Sequence, residues 1–177
     1  MITCDYLPCG VRIVTEEIQE AQAACIGIWI GAGSAYEEPN QAGISHFIEH
    51  MMFKGTQMRS ARQIAVDVDD IGASINAFTG KEATCYHIKA LTEHLPVAVD
   101  ILLDMLCDSV FDSLEINKER SVILEEMQML LDTPDDYIID LLSQTVLKGS
   151  ELAPSIIGTR SSLKGTTRHK MLRYISN

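Results

Sequence analysis

Residues 42–56 read AGISHFIEHMMFKGT, and the interpretation of the whole chain starts from this stretch. Written as a helix, it has one apolar face at the spacing i, i+3, i+4, i+7, formed by Ile44, Phe47, Ile48 and Met51. The opposite side carries His46, Glu49 and His50. Because His46 and His50 are four residues apart, one helical turn brings both imidazoles to the same ion. Glu49 lies beside them, and Gly55 is expected to end the helix.

The pattern H-x-x-E-H is the reverse of the commoner H-E-x-x-H zinc helix and is typical of inverzincin metallopeptidases. The alternative is a solvated polar face that carries two histidines by accident, since five-residue patterns also occur by chance. Two of the five histidines of the chain fall in this motif, next to a regular apolar stripe, which favours a metal site. A catalytic zinc usually has three protein ligands and one water, so a third ligand is expected elsewhere.

Composition restricts the possible functions. At 177 residues, with 46% hydrophobic and 22% charged residues, the chain is typical of one soluble globular domain. The net charge of −11 argues against a nucleic-acid partner, because phosphates would be repelled. We find no apolar stretch long enough to span a membrane and no signal-peptide pattern near Met1, so no membrane association is expected.

The cysteines indicate a cellular compartment. There are five of them, an odd number, without a C-x-x-C pair. This usage favours free thiols in a reducing environment, and we expect a cytoplasmic protein. Cys25, Cys85 and Cys107 lie in apolar runs and are expected to be small core residues.

The pattern of apolar residues predicts strands first and helices afterwards. A turn at residues 7–10 separates two short strands. The further predicted elements are a central strand covered on both faces at 23–30, a helix at 61–71 after the N-cap Ser60, a hairpin with strands at 74–79 and 83–91, and helices at 93–109, 112–132, 134–146 and 168–175. This order predicts a single α+β domain, residues 1–177, with helices packed on one face of a mainly antiparallel sheet.

The helix predicted at 112–132 offers candidates for the third ligand. Its apolar stripe consists of Ile116, Ile123, Met127 and Leu130. Glu119 and Glu126 are seven apart and border this stripe, whereas Glu125 shares a fully charged column with Lys118 and Asp132. Helical spacing therefore favours Glu126 or Glu119 over Glu125 and leaves the choice between those two open. The alternative is that all three are surface carboxylates.

Several segments together resemble a known family. They are LPCGVRIV at 7–14, GAGS at 31–34, HFIEHMMFKGT at 46–56, NAFT at 76–79 and ERSVILEE at 119–126. Their order and spacing resemble the pitrilysin/insulinase zinc peptidases, especially the branch of the processing-peptidase β-subunit. The resemblance implies the α/β roll of that branch and a Zn²⁺ ion held by His46, His50 and Glu126. It further implies Glu49 as general base and Glu119 as a supporting catalytic residue.

The resemblance also implies how a peptide substrate binds. Residues 74–79 resemble the edge strand of the family, where an extended peptide adds, so that Asn76 and Ala77 would line the groove. From the residues alone, an ordinary hairpin strand is an equally good interpretation. Members of the family pair such a unit with another of the same fold. The chain is therefore expected to be the N-terminal unit of a larger enzyme, to act with a separate homologous unit, or to form a homo-oligomer.

Three functions compete at this stage. The first is a zinc-dependent endopeptidase acting on short or unfolded polypeptides. The second is a non-catalytic or fragmentary assembly subunit of the same fold, which binds zinc but needs a partner unit for activity. The third, a structural zinc site, would normally have four ligands rich in cysteine and no free glutamate beside the ion, so the motif disfavours it.

Overall fold

A computed structural model describes residues 1–176 of the chain. The strands are β1 (Ile2–Tyr6), β2 (Arg12–Glu16), β3 (Ala23–Ile30), β4 (Ser74–Thr79) and β5 (Thr84–Leu91). The helices are α1 (Ile44–Met52), α2 (Ala61–Asp70), α3 (Leu95–Asp108), α4 (Ser113–Asp132), α5 (Pro134–Val146), α6 (Arg160–Gly165) and α7 (Arg168–Ile175). Single 3₁₀ turns occur at Ser34–Tyr36, Pro39–Gln41 and Thr92–His94.

The strands form two antiparallel sheets within residues 1–176. β1 and β2 pair as a separate hairpin, while β3, β5 and β4 form a three-stranded sheet in that order. β5 is therefore the central strand, and the prediction that 23–30 is central and covered on both faces was wrong. On β3, Ile26 and Ile28 are half-buried against the core, whereas Trp29 is 66% exposed on the other face. An apolar run indicates a strand, but it does not show how many neighbours the strand has.

Helices cover one face of the three-stranded sheet. On β5, Tyr86, Ile88 and Ala90 alternate toward the buried side, and α3 packs against this strand. α1 and α2 contact β4 on the same side, and α4 packs on α1. The buried core includes Phe47, Ile101 and Ile123. The α+β class with helices on one face of an antiparallel sheet is thus confirmed.

Local sequence signals explain where several helices begin. Ser60 caps α2, and the Asp112 carboxylate accepts hydrogen bonds from the backbone N–H groups of Leu114 and Glu115 at the start of α4. Pro134 occupies the first position of α5. α3 begins at Leu95 rather than at residue 93, because the preceding residues form a 3₁₀ turn. α6 was not predicted.

The five cysteines are free. Cys85 is buried, as expected, but Cys25 and Cys107 are exposed, so their assignment to the core was wrong. Cys25 lies on the uncovered face of β3, which explains why it is exposed. Among residues 1–176, no helix combines the length and apolar character needed to cross a bilayer. The cytoplasmic location stays a prediction.

Candidate metal centre

Three side chains from α1 and α4 converge on one point. His50 Nε2 lies 3.2 Å from His46 Nε2 and 3.5 Å from Glu126 Oε2, and His46 Nε2 lies 3.9 Å from the same oxygen. These are the only residues within 1–176 whose histidine, cysteine or carboxylate atoms cluster closely enough, within 4.8 Å, to hold a metal ion as a group of three or more. The four-residue spacing on α1 stacks the two imidazoles, and the packing of α4 on α1 brings Glu126 to them.

The residues fit a zinc ion. Ligand atoms at 2.0–2.1 Å from a tetrahedral zinc lie about 3.3 Å from one another. The observed separations of 3.2, 3.5 and 3.9 Å are close to this edge length. The donor set of two imidazole nitrogens and one carboxylate oxygen matches that of a catalytic zinc, which leaves its fourth position to water or substrate.

Glu119 contacts the ring nitrogen of His50 that faces away from the metal position, Nδ1. Its Oε1 is 2.8 Å from His50 Nδ1, and its Oε2 is 2.6 Å from Lys54 Nζ. A proton on Nδ1, donated to this carboxylate, leaves the lone pair of Nε2 facing the point of convergence. Glu119 is 5% exposed, and both of its partners are half-buried.

Burial has the largest effect on the pKa of His46. Desolvation, and then the charge of His50, lowers its pKa to about 4 from an ordinary value of 6.5. Its Nδ1 is buried and has no hydrogen-bond partner among the described residues. The imidazole is therefore neutral at physiological pH, which is the form that binds metal ions.

Glu49 does not belong to the converging set. It accepts a short hydrogen bond from Thr79 Oγ1, at the end of β4, through its Oε2. Burial raises the pKa of Glu49 above its ordinary value, against the opposing effects of the Thr79 hydrogen bond and the charge of His50. A half-buried carboxyl with a raised pKa beside a metal position can accept and return a proton.

Asn76 and Ala77 lie on β4, which is an edge strand of the three-stranded sheet. Asn76 is exposed, and its Oδ1 accepts a hydrogen bond from the backbone N–H of Ala77 at 2.8 Å. Ala77 is half-buried against the hydrophobic core. Neither residue joins the metal cluster, and their part in substrate binding stays a prediction.

Two contact residues of this site were absent from the sequence-based prediction, although the spacing contained a signal for each. Lys54 follows His50 by four positions, which is one helical turn. Thr79 follows Ala77 by two, so that both side chains lie on the same face of β4. Neither spacing could show that the partner would be Glu119 or Glu49, because these contacts depend on how α1, α4 and β4 pack.

A pocket of about 330 Å³ opens beside the metal position. Its lining includes His46 and Glu126 of the metal position and Asp136 and Asp140 of α5. Lys81 also lines the pocket, and its ammonium group donates a hydrogen bond to the carbonyl of Pro154. With three carboxylates against this one ammonium group, the lining carries an excess of negative charge.

Known proteins are similar to this chain in sequence. The family model of the insulinases, peptidase family M16, matches residues 12–160. The uncharacterized zinc protease YmxG of Bacillus subtilis is 46% identical over 166 residues, which are 94% of this chain and 41% of that protein. The β-subunit of the mitochondrial-processing peptidase of Saccharomyces cerevisiae is 39% identical, over 96% of this chain and 37% of its own length.

The fold also has close neighbours among solved structures. A protease from Helicobacter pylori superposes with a TM-score of 0.93 at 21% identity, over 99% of this chain and 43% of that one. A peptidase M16 inactive domain from Pseudomonas fluorescens gives 0.91 at 14% identity, over 99% of this chain and 43% of that one. The chain thus spans less than half the length of each of these proteins. From the matched family model, which covers most of the sequence, we conclude that the chain belongs to the insulinase family, peptidase family M16.

Proposed function

We propose that this chain is the zinc-binding unit of a metalloendopeptidase that hydrolyses short or unfolded polypeptides. The observation that carries the proposal is the convergence of His46 Nε2, His50 Nε2 and Glu126 Oε2, with Glu49 beside them but outside the ligand set. Relatives that are named zinc proteases support the choice of metal. Residues 1–177 would form one domain, the N-terminal unit of a larger enzyme.

Each residue of the centre would have a separate role. His46, His50 and Glu126 would hold Zn²⁺, which, when bound, polarises a carbonyl and acidifies a water. Glu49 would take a proton from the attacking water at its Oε1, since Thr79 occupies Oε2, and would pass it to the departing amide nitrogen. Glu119, fixed by Lys54, would keep His50 in the tautomer that offers Nε2.

The peptide substrate would bind along β4. An edge strand offers backbone groups to an extended chain, and Asn76 and Ala77 lie on this edge. The peptide would replace the Asn76 side chain as the acceptor of the Ala77 N–H. The acidic pocket formed with Asp136 and Asp140 favours a substrate with a lysine or arginine near the scissile bond. This preference is tested with two fluorescence-quenched peptides that are identical except for lysine or norleucine at one position near the scissile bond. Equal cleavage of both peptides would contradict it.

The metal assignment is tested with a matched pair of variants on α4. Glu126→Gln removes the third ligand, whereas Glu125→Gln changes the exposed neighbouring carboxylate. We expect Glu126→Gln to weaken zinc binding by at least about 10-fold and Glu125→Gln to leave it unchanged, measured by competition with a chromophoric chelator. Equal affinities in the two variants would contradict the assignment.

The proposed enzyme would act with a second unit, either a homologous chain or another copy. The exposed apolar side chains of α5 support this, since Ile138, Ile139 and Leu142 are 60–65% exposed and Ile139 lines the pocket. If a second unit is needed, the isolated chain binds zinc but cleaves poorly. Size-exclusion chromatography with a homologous chain, followed by an assay with and without chelator, tests it. Full turnover by the monomeric chain would show that no second unit is needed.

A further inference from the structure

The metal helix α1 begins without a local cap. Its N-cap residue is Gly43, at φ +87°, which has no side chain to accept a hydrogen bond, and the first turn contains no acidic residue. The first N–H groups of a helix have no partner within the helix, so they need an acceptor from elsewhere. In this chain the acceptor is Glu37. Its Oε2 accepts from the N–H of Gly43 at 2.6 Å and its Oε1 from the N–H of Ser45 at 2.8 Å.

The backbone segment just before Glu37 is hydrogen-bonded to the turn between β4 and β5. Glu37 directly follows the 3₁₀ turn Ser34–Tyr36, and the N–H of Ala35 donates to the carbonyl of Lys81 at 2.8 Å. The approach of the two segments is close, because a Cβ on Gly33 would lie 2.5 Å from the carbonyl oxygen of Gly80. This turn comes immediately after Thr79, the residue that donates to Glu49. Glu37 therefore connects the start of α1, through its carboxylate, to the end of β4, through the backbone that precedes it.

We infer that Glu37 is a positioning residue for the metal centre, an inference that rests on the proposed function. Its carboxylate fixes the first turn of α1, which carries His46, against the strand that holds Glu49. Because α1 has only nine residues, a displacement of its first turn reaches both histidines. A carboxylate is also the most favourable acceptor at this position, since charged hydrogen bonds and the helix dipole act together there.

A purely structural role for Glu37 predicts a different result. In that case its loss would lower the stability of the domain, while the folded molecules would bind zinc as before. In a positioning role, the loss changes the zinc affinity of the folded protein itself. The two roles are separated by measuring zinc affinity and unfolding in the same variants.

The test uses Glu37→Ala, Glu37→Gln and the control Glu38→Gln. Glu38 is the exposed neighbour and makes no side-chain cap at the following 3₁₀ turn. Glutamine keeps one acceptor oxygen without the charge. Three quantities are measured: amide hydrogen exchange of Gly43 and Ser45 in the metal-free protein, zinc affinity by chelator competition, and the urea midpoint of the metal-free protein.

We expect faster exchange at Gly43 and Ser45 and a zinc dissociation constant raised about 10-fold in Glu37→Ala. Glu37→Gln should lie between Glu37→Ala and the wild type, and Glu38→Gln should match the wild type. Should Glu37→Ala fail to fold, Glu37→Gln against Glu38→Gln decides the question.

Zinc affinities in both Glu37 variants equal to that of Glu38→Gln would overturn the inference, even if the urea midpoint falls. The zinc affinity of Glu126→Gln shows whether only the role of Glu37 is wrong or the proposed metal centre itself. If Glu126→Gln weakens zinc binding and the Glu37 variants do not, only the role of Glu37 is wrong. If the wild type and Glu126→Gln bind zinc equally, the proposed metal centre is wrong and the inference falls with it.

Discussion

Four carboxylates lie near the two histidines of α1, and what each of them touches determines its role. Glu126 Oε2 is 3.5 Å from His50 Nε2, whereas Glu119 reaches Nδ1 on the other side of the same ring. The two nitrogens of an imidazole point in different directions, so one carboxylate can share a metal with His50 while the other orients it. Glu49 is held by Thr79, and Glu37 caps the helix.

Replacing Glu49 by glutamine should slow cleavage by about 10²–10⁴-fold and leave zinc bound. The amide keeps the shape of the side chain but cannot accept a proton, and general acid–base catalysis contributes about 10²–10⁴-fold to the rate. The measurement compares kcat/KM and zinc content with those of Glu38→Gln, in whichever assembly of the chain shows chelator-sensitive cleavage. Wild-type turnover by Glu49→Gln would exclude Glu49 as the base.

At the residue scale, periodicity predicted much of this arrangement. It placed His46 and His50 on one side of a helix and reduced the third ligand to Glu126 or Glu119. It could not separate these two, because both border the same stripe seven residues apart and the difference lies in which ring nitrogen each one meets. The resemblance to a known family indicated Glu126, whose Oε2 faces Nε2 of His50, whereas Glu119 faces Nδ1. The role of Glu126 as a ligand stays a prediction.

At the scale of elements, local signals identified most helices and the β4–β5 hairpin. Ser60, Asp112 and Pro134 start α2, α4 and α5 by interactions within a few residues, which a sequence shows directly. α6 has only six residues, and its capping box pairs Thr159 with Ser162 instead of a glutamate, so the usual signature was absent. The position of β3 at the edge depends on long-range pairing and was not visible in the sequence.

The start of α1 also depends on a close contact between two backbones. A Cβ on Gly158 would lie 2.2 Å from the carbonyl oxygen of Ala42, whereas a Cβ on Gly149 would meet nothing within 4 Å. Both glycines have positive φ, so alanine costs the same backbone strain at each. Gly158→Ala should therefore destabilise the domain by about 1–3 kcal/mol more than Gly149→Ala, because only the former overpacks. Urea unfolding measures this difference, and coincident transitions would contradict the contact.

At the scale of the whole molecule, the metal centre joins elements that are far apart in the sequence. α1 supplies two of the proposed ligands and α4 the third, while the domain as a whole carries a net charge of −11. An ion bound only by the folded state would link the two helices and offset part of the repulsion among the carboxylates around it. The strand-before-helix order predicted the α+β class, but the division into two sheets required knowing which strands pair.

Zinc should raise the thermal stability of the domain. At a free concentration 100 times its dissociation constant, a ligand of the native state adds about 2.7 kcal/mol. For a domain of this size, that corresponds to a rise in Tm of about 5–10 °C. Calorimetry with zinc and with a chelator measures the shift in the wild type and in Glu125→Gln. At the same free zinc concentration, the shift should fall to about half or less in Glu126→Gln, because a 10-fold weaker affinity leaves about 1.4 kcal/mol. The same Tm with and without zinc in the wild type would contradict binding to the native state.

The most direct test of the metal centre is anomalous diffraction at the zinc absorption edge, from crystals of the zinc-loaded protein. A single peak is expected between α1 and α4, at about 2.0–2.2 Å from His46 Nε2, His50 Nε2 and Glu126 Oε2. A peak at another place, or Glu126 turned away from a zinc bound by the two histidines, would contradict the proposed centre.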